Sequence, residues 1–208
     1  MRKKTETAKK DTPPRGRPRS ERAQRAVIEA AHALLEEGGY DAATIEAIAA
    51  RAGVAKTTIY RWWPNRASLL VDFLVTEANK VAPPPERGDG LQALKKELKG
   101  AAVAINGLTG RLLSSLLGEA QTDPEVREAL LNRLFYPRTG FTAGAISRAQ
   151  AAGDVRTDIP PHLAVDLFFG PLFYRMFVQH GPINDAVVKQ VYQYVLEGLR
   201  PRSPGRKQ

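Results

Sequence analysis

The sequence predicts an all-α chain with about nine helices, on the strength of three observations. From residue 20 to residue 199, apolar residues recur at three- and four-residue spacing in one segment after another, the period of a single helix face. No run alternates polar and apolar as a half-buried strand does, and no internal repeat is visible. Glycine and proline fall between the periodic segments, where helices have to end.

Taken in order, Val27, Ile28, Ala31, Leu34 and Leu35 form the stripe of a first helix over 20–37, with Ser20 as N-cap and Gly38-Gly39 as its stop. A short second helix covers 44–52 and is broken by Gly53; a third runs over 55–62. Pro64-Asn65 ends the third and caps the fourth, 65–82, whose stripe is Leu70, Phe73, Leu74 and Ala78. Pro83-Pro84-Pro85 with Gly88 and Gly90 makes a hard boundary. Beyond it, 91–105, 107–121, 124–151, 160–179 and 184–199 each carry helical spacing. Asp123-Pro124-Glu125 reads as a helix start, and Pro137 as a kink after Tyr136.

Composition excludes several chemistries. Of 208 residues 43% are hydrophobic, enough for a globular core, and none is cysteine, so disulfides, thiolate metal sites and thiol catalysis are out. The histidines, His32, His162 and His180, lie far apart in sequence, which argues against a histidine metal site. The most apolar stretch, 163–178, is interrupted by Asp166, Gly170, Pro171 and Arg175, so no bilayer span and no membrane partner is expected. The basic N-terminus lacks a following apolar segment and does not read as a secretory signal; a cytoplasmic location is expected. No nucleophile–base pair, metal cluster or phosphate loop is visible, so neither an enzyme nor a cofactor is expected.

The net charge of +9 is unevenly placed. Residues 1–19 carry +6, residues 20–66 are neutral, residues 67–199 carry −1, and residues 200–208 carry +4. This divides the chain into a basic disordered arm (1–19), a reading domain (20–66), a helical body (67–200) and a basic disordered tail (201–208).

Residues 45–62 carry the functional signal. Two short helices meeting at a tight turn need a small residue at their contact and a glycine where the chain turns. Ala49 and Gly53 supply these, with Ile48, Ala52, Val54, Ile59 and Trp62 apolar around them. The second helix then begins with a polar tip, Ala55, Lys56, Thr57 and Thr58, as a helix entering the DNA major groove requires. Lys56 can donate to guanine O6 and N7, and Thr57 and Thr58 suit thymine or phosphate. Tyr60, Arg61 and Arg66 follow where phosphate contacts would lie. A plain corner in a helical bundle needs no such tip. Trp63 is expected to pack the third helix on the fourth, whereas Trp62 is either packed or donating its indole N–H to phosphate.

The run from Thr44 to Leu70, TIEAIAARAGVAKTTIYRWWPNRASLL, resembles the DNA-binding segment of TetR/AcrR-type transcriptional regulators, and Gly39-Tyr40 fits the end of that family's first helix. The resemblance is specific over about residues 20–74; farther on, Phe169-Gly170-Pro171-Leu172-Phe173-Tyr174-Arg175 is similar to one C-terminal subgroup. It implies a homodimer on a near-palindromic double-stranded DNA operator, with a pocket for a small-molecule effector in the C-terminal helices. Lys56, Thr57 and Thr58 would then read bases, and Thr44, Tyr60 and Arg66 would hold phosphates. Thr57 stands where glycine is common, Ala55 where serine is frequent, and Arg66 where lysine is usual.

Pro14-Arg15-Gly16-Arg17-Pro18 resembles the core of an AT-hook. Glycine lets a backbone lie deep in a narrow minor groove, and Arg15 and Arg17 would enter its negative potential; the alternative is a tail that only adds non-specific affinity. In the C-terminal half, the helices at 160–179 and 184–199 carry surplus apolar surface and are expected to form the dimer interface. Phe135, Tyr136 and Phe141, near Pro137, are candidates to line a cavity with Phe173, with Asn106, Arg111, Ser114 and Arg138 orienting an effector. His162 and His180 read as surface or capping residues. The function that follows is an effector-responsive regulator, a repressor, in which effector entry shifts the fourth helix and the spacing of two reading helices. The competing reading is an architectural DNA-binding protein with little sequence preference.

Overall fold

Helix starts are set by short polar side chains that take up the unpaired N–H groups of a first turn. Thr44, Asn65, Asp89, Asp123 and Asn184 each stand immediately before a helix and accept from its first-turn backbone. At Asn65 the arrangement is reciprocal: its side chain accepts from the Ser68 N–H, while the Ser68 hydroxyl lies 3.4 Å from the Asn65 N–H.

The computed structural model describes residues 17–84 and 88–201, and every regular element among them is helical. In chain order these are α1 (Arg17–Ala42), α2 (Ile45–Ala52), α3 (Lys56–Tyr60), α4 (Arg66–Val81), α5 (Gly90–Asn106) and α6 (Leu108–Glu119). α7 (Pro124–Leu130) runs through a π segment (Leu131–Phe135) into α8 (Tyr136–Ala151); α9 (Pro161–Val178) and α10 (Asp185–Leu199) are the last elements among the described residues. With α7, the π segment and α8 counted as one bent rod, the nine expected helices are all present.

The departures are local. α1 begins at Arg17 rather than after Ser20, with Pro18 in its first turn, where a missing N–H costs nothing. It kinks at Gly39, φ 69°, and continues to Ala42. α3 stops at Tyr60, with Trp62 and Trp63 both donating from the backbone to the Ile59 carbonyl before Pro64. In place of the kink expected at Pro137, the structure has a π segment one turn earlier. Pro137 has no N–H for the Arg133 carbonyl, and the chain widens ahead of it, so that the Tyr136 N–H reaches back five residues to Leu131.

A continuous core runs from Val27 in α1 to Leu199 in α10. α4 lies at its centre, with Leu69, Leu70, Val71 and Phe73 fully buried against neighbours on both sides. α1 packs on α2, α4 and α6; α4 also packs on α5, α6 and α7; α8 is clasped by α5 and α9. α5 and α6 meet at 80°. Among the described residues no single helix is long and apolar enough to cross a membrane.

A close backbone approach between two helices lies at the start of α5. A Cβ on Gly90 would sit 2.2 Å from the Ala145 carbonyl oxygen and 2.8 Å from the Ala149 nitrogen, both backbone atoms of α8. Gly90→Ala is therefore expected to destabilise the fold by about 1–3 kcal/mol in denaturant unfolding, because two helices have to move apart. Gly118→Ala, which meets nothing within 4 Å inside α6, is expected to be neutral or slightly stabilising.

Candidate nucleic-acid interface and internal cavity

The reading unit is built from the turn outward. Gly53 closes α2 in the left-handed region, φ 64° and ψ 34°, and its N–H turns back to the carbonyls of Ala49 and Ala50. A residue with a Cβ pays for that conformation, which is why glycine stands there. Ile45, Ile48, Ala49 and Ile59 are buried beneath the turn, leaving Ala55, Lys56 and Thr57 exposed, Thr58 half-buried, and Tyr60 and Arg61 exposed one turn on. Thr44 is exposed, with Oγ1 accepting from the Ala47 N–H at 3.1 Å. The expected DNA-contacting side chains of α3 therefore share one solvent-facing end.

Lys56 is paired within the unit. Its Nζ donates to Glu46 Oε1 at 2.8 Å, an exposed contact that raises the lysine pKa and lowers the carboxyl below its ordinary value. Glu46 lies ten residues earlier in the sequence, across the turn, a separation that no helical period reveals. Exposed ion pairs are weak, so a base edge or phosphate can take the lysine from Glu46.

Arg66 occupies a different place from the one expected of a phosphate contact. Its Nε donates to the Ala43 carbonyl at 2.9 Å, an Nη to the Tyr40 carbonyl, and its guanidinium stacks 4.0 Å from the centre of the Tyr40 ring. It ties the end of α1 to the start of α4. The Tyr40 hydroxyl in turn donates to Glu119 of α6, and burial and that carboxylate hold the phenol above its usual pKa. Trp63 is buried at 2% exposure, with Nε1 donating to Asp72 Oδ2 at 2.7 Å; Trp62 is half-buried, edge-on to it at 5.7 Å. The other Asp72 oxygen accepts from Arg133 of the π segment at 2.7 Å. Two hydrogen bonds thus join the segment just after α3 to α4 and the π segment.

Arg15 lies outside the described residues, as does the arm through residue 16 and the tail from residue 202; of Arg17 only the backbone is placed, at the start of α1.

The body holds a cavity of about 390 Å³ between the C-terminal half of α4, α5, α6, the π segment with α8, and α9. Three expected effector-site residues line it, Phe135, Arg138 and Phe173. Asn106, Arg111, Ser114 and Phe141 do not. Asn106 donates to the Ile183 carbonyl at 2.7 Å and braces the loop before α10; from α6 the wall takes Leu113 and Leu117, not Arg111 or Ser114. Phe141 is half exposed because it precedes Thr142 by one position, a rotation of about 100° off the cavity face. Tyr136 is exposed on the same grounds, as are His162 and His180, the latter packed on Tyr174 with ring centres 5.0 Å apart. Glu97, Thr139, Thr142 and Asp166 are the polar wall residues that spacing alone does not single out.

Arg66→Lys keeps the charge but loses the planar fork and the ring stack. It is expected to lower unfolding stability by about 1–2 kcal/mol. If denaturation is unchanged while the salt dependence of DNA binding flattens, the residue holds phosphate instead.

Comparison with known proteins agrees with this architecture. Residues 27–73 match the family described as bacterial regulatory proteins, tetR family, and residues 84–195 match the family described as tetracyclin repressor-like, C-terminal domain. The HTH-type transcriptional regulator YdeS of Bacillus subtilis strain 168 is 32% identical over 189 residues, spanning 91% of this chain and 96% of its own length. The DNA-binding transcriptional repressor TetR of Mycobacteroides abscessus is 27% identical over 186 residues, spanning 86% of this chain and 94% of its own length. Among solved structures, the TetR family transcription regulator SCO0332 superposes with a TM-score of 0.73 at 28% identity, over 86% of this chain and 99% of that one.

Proposed function

This chain belongs to the TetR family of bacterial transcriptional regulators, and we propose that it is an effector-responsive repressor that binds a near-palindromic operator as a homodimer. The observation that carries the reading is the exposed polar end of α3, presented by a glycine turn and fastened from behind by Trp63 and Arg66. Lys56, Thr57 and Thr58 read base edges in the major groove; Thr44, Tyr60, Arg61 and the Trp62 indole are within reach of phosphates. The basic residues before α1, Arg15 among them, supply long-range attraction that the neutral reading domain lacks. A named repressor among the relatives supports the direction of regulation.

Dimerisation is supported by what α9 and α10 leave uncovered. Leu163, Leu167, Tyr174 and Val178 follow one face of α9, each more than 40% exposed, and Tyr194 of α10 is 64% exposed. Such a stripe is wider than isolated surface apolar residues require, and a second copy covers it.

Control follows from α4. Its C-terminal half contributes Ala78 and Ala82 to the cavity wall, and its first residues hold the reading unit through Asn65 and Arg66. An effector that wedges the cavity shifts α4 and, through Arg133, Asp72 and Trp63, the recognition helix. In a dimer that alters the separation of two reading helices that have to match the helical repeat of DNA. The protein acts by binding, in the cytoplasm, without catalysis.

Genome-wide capture of DNA by the purified protein is the direct test of operator binding. Lys56→Ala is expected to lose about tenfold of the preference for captured sites over random DNA, with a smaller loss of non-specific affinity. Equal losses on both DNAs would favour the architectural reading. Leu167→Asp is expected to convert the dimer to monomer in sedimentation at micromolar concentration and to abolish operator binding; an unchanged dimer would move the interface elsewhere.

A further inference from the structure

The walls of the cavity are apolar but not electrically neutral. Glu97 of α5 and Asp166 of α9 face it against a single guanidinium, Arg138 of α8, which leaves one carboxylate in excess. Glu97 is 4% exposed. Its Oε2 accepts from the Thr142 hydroxyl at 2.8 Å, whereas its Oε1 comes no nearer than 4.0 Å to Arg138 and has no donor within hydrogen-bonding distance among the described residues. Arg138 stays within ion-pair range of that oxygen, but its guanidinium donors are taken elsewhere: one Nη donates to Asn79 Oδ1 at 3.1 Å, the other to the Ala82 carbonyl at 2.9 Å. A buried carboxyl is costly to ionise, and burial accordingly raises the pKa of Glu97 against the Thr142 hydrogen bond and the Arg138 charge, which lower it.

The remaining wall supplies the second half of a recognition site. Phe135 and Phe173 stand with ring centres 6.0 Å apart at 45°, and Phe169 and Phe177 continue the same side of the cavity along α9. Aromatic faces attract cations and bury apolar area, and beside an ionisable carboxylate they favour a positively charged lipophilic guest.

Resting on the effector reading above, we propose that the cavity takes a lipophilic organic cation, whose ammonium donates to Glu97 Oε1 while its apolar body lies against the phenylalanines. A carboxylate-bearing ligand meets the Asp166 charge, keeps Glu97 from ionising, and finds Arg138 already engaged with the end of α4. Approach of a cation restores the ionised form of Glu97 that burial disfavours. The volume of about 390 Å³ suits a guest of drug-like size.

The test is titration calorimetry of the full chain with three probes of one shape and different charge: biphenylmethylamine, biphenylmethanol and biphenylcarboxylate. The amine is expected to bind at least about tenfold more tightly than the alcohol, and the carboxylate most weakly. Glu97→Gln preserves an acceptor for Thr142 and is expected to erase the preference for amine over alcohol; Asp166→Asn, on the exposed side of the wall, is expected to reduce it less. Tightest binding of the alcohol or the carboxylate, or an undiminished amine preference in Glu97→Gln, overturns the cation while leaving the cavity as an effector site. Should that variant not fold, the charge series on the unaltered chain decides alone. No binding by any of the three overturns both the cation and the effector cavity.

Discussion

Helix α4 has almost no free face along its first half. Ala67, Ser68, Leu69, Leu70, Val71, Phe73 and Leu74 are all buried, because α1 closes over one side while α5, α6 and α7 pack on the other. A helix so enclosed cannot slide or rotate alone without opening apolar surface on one side or the other, at roughly 25 cal/mol for each Å² exposed. The reading unit and the body therefore share one core rather than meeting across a soft interface. The capping box at Asn65 and Ser68 and the Arg66 bridge to Tyr40 and Ala43 fasten the same helix to α1 and to the turn after α3. Its other end is a cavity wall.

That arrangement gives the polar contacts around it a shared logic. Asp72 is the one α4 residue in the stretch from Ala67 to Leu74 that is not buried, and both its oxygens are used, one by the Trp63 indole and one by Arg133. Arg133 comes from the π segment, which exists because Pro137 cannot continue a regular ladder. Phe135, two residues on, is in the cavity wall. A packing irregularity imposed by one proline thus sets an arginine and a wall phenylalanine on neighbouring positions, one facing the reading unit and the other the cavity.

The electrostatics are divided along the same axis. The reading domain is neutral overall, and its exposed lysine is held by Glu46 until something better is offered. The surplus charge lies towards the two ends of the sequence, in residues 1–19 and 200–208. The cavity reverses the sign, with carboxylates prevailing over Arg138.

Helix content, several helix starts and the glycine turn were legible in the sequence because they depend on neighbours along the chain. The stop at Gly53, the caps at Thr44 and Asn65 and the helix start at Pro124 are local interactions whose partners lie within four residues. The exposed tip of α3 was legible for the same reason, since burying Ile59 leaves Lys56 and Thr57 on the outside. The roles of Arg66, Glu46 and Asp72 were not. Arg66 reads as a phosphate ligand by position, and only the fold brings the Tyr40 ring and two carbonyls, more than twenty residues away, beneath its guanidinium. The cavity is the clearest case. Aromatic residues near a proline suggested its place, yet helix phase alone separates Phe135 from Phe141, and the acid that marks its chemistry, Glu97, looks like any solvated helix residue until α8 covers it. Secondary structure follows from contacts close in sequence; which side chains meet in a site depends on how ten helices pack, and that is written only in the tertiary structure.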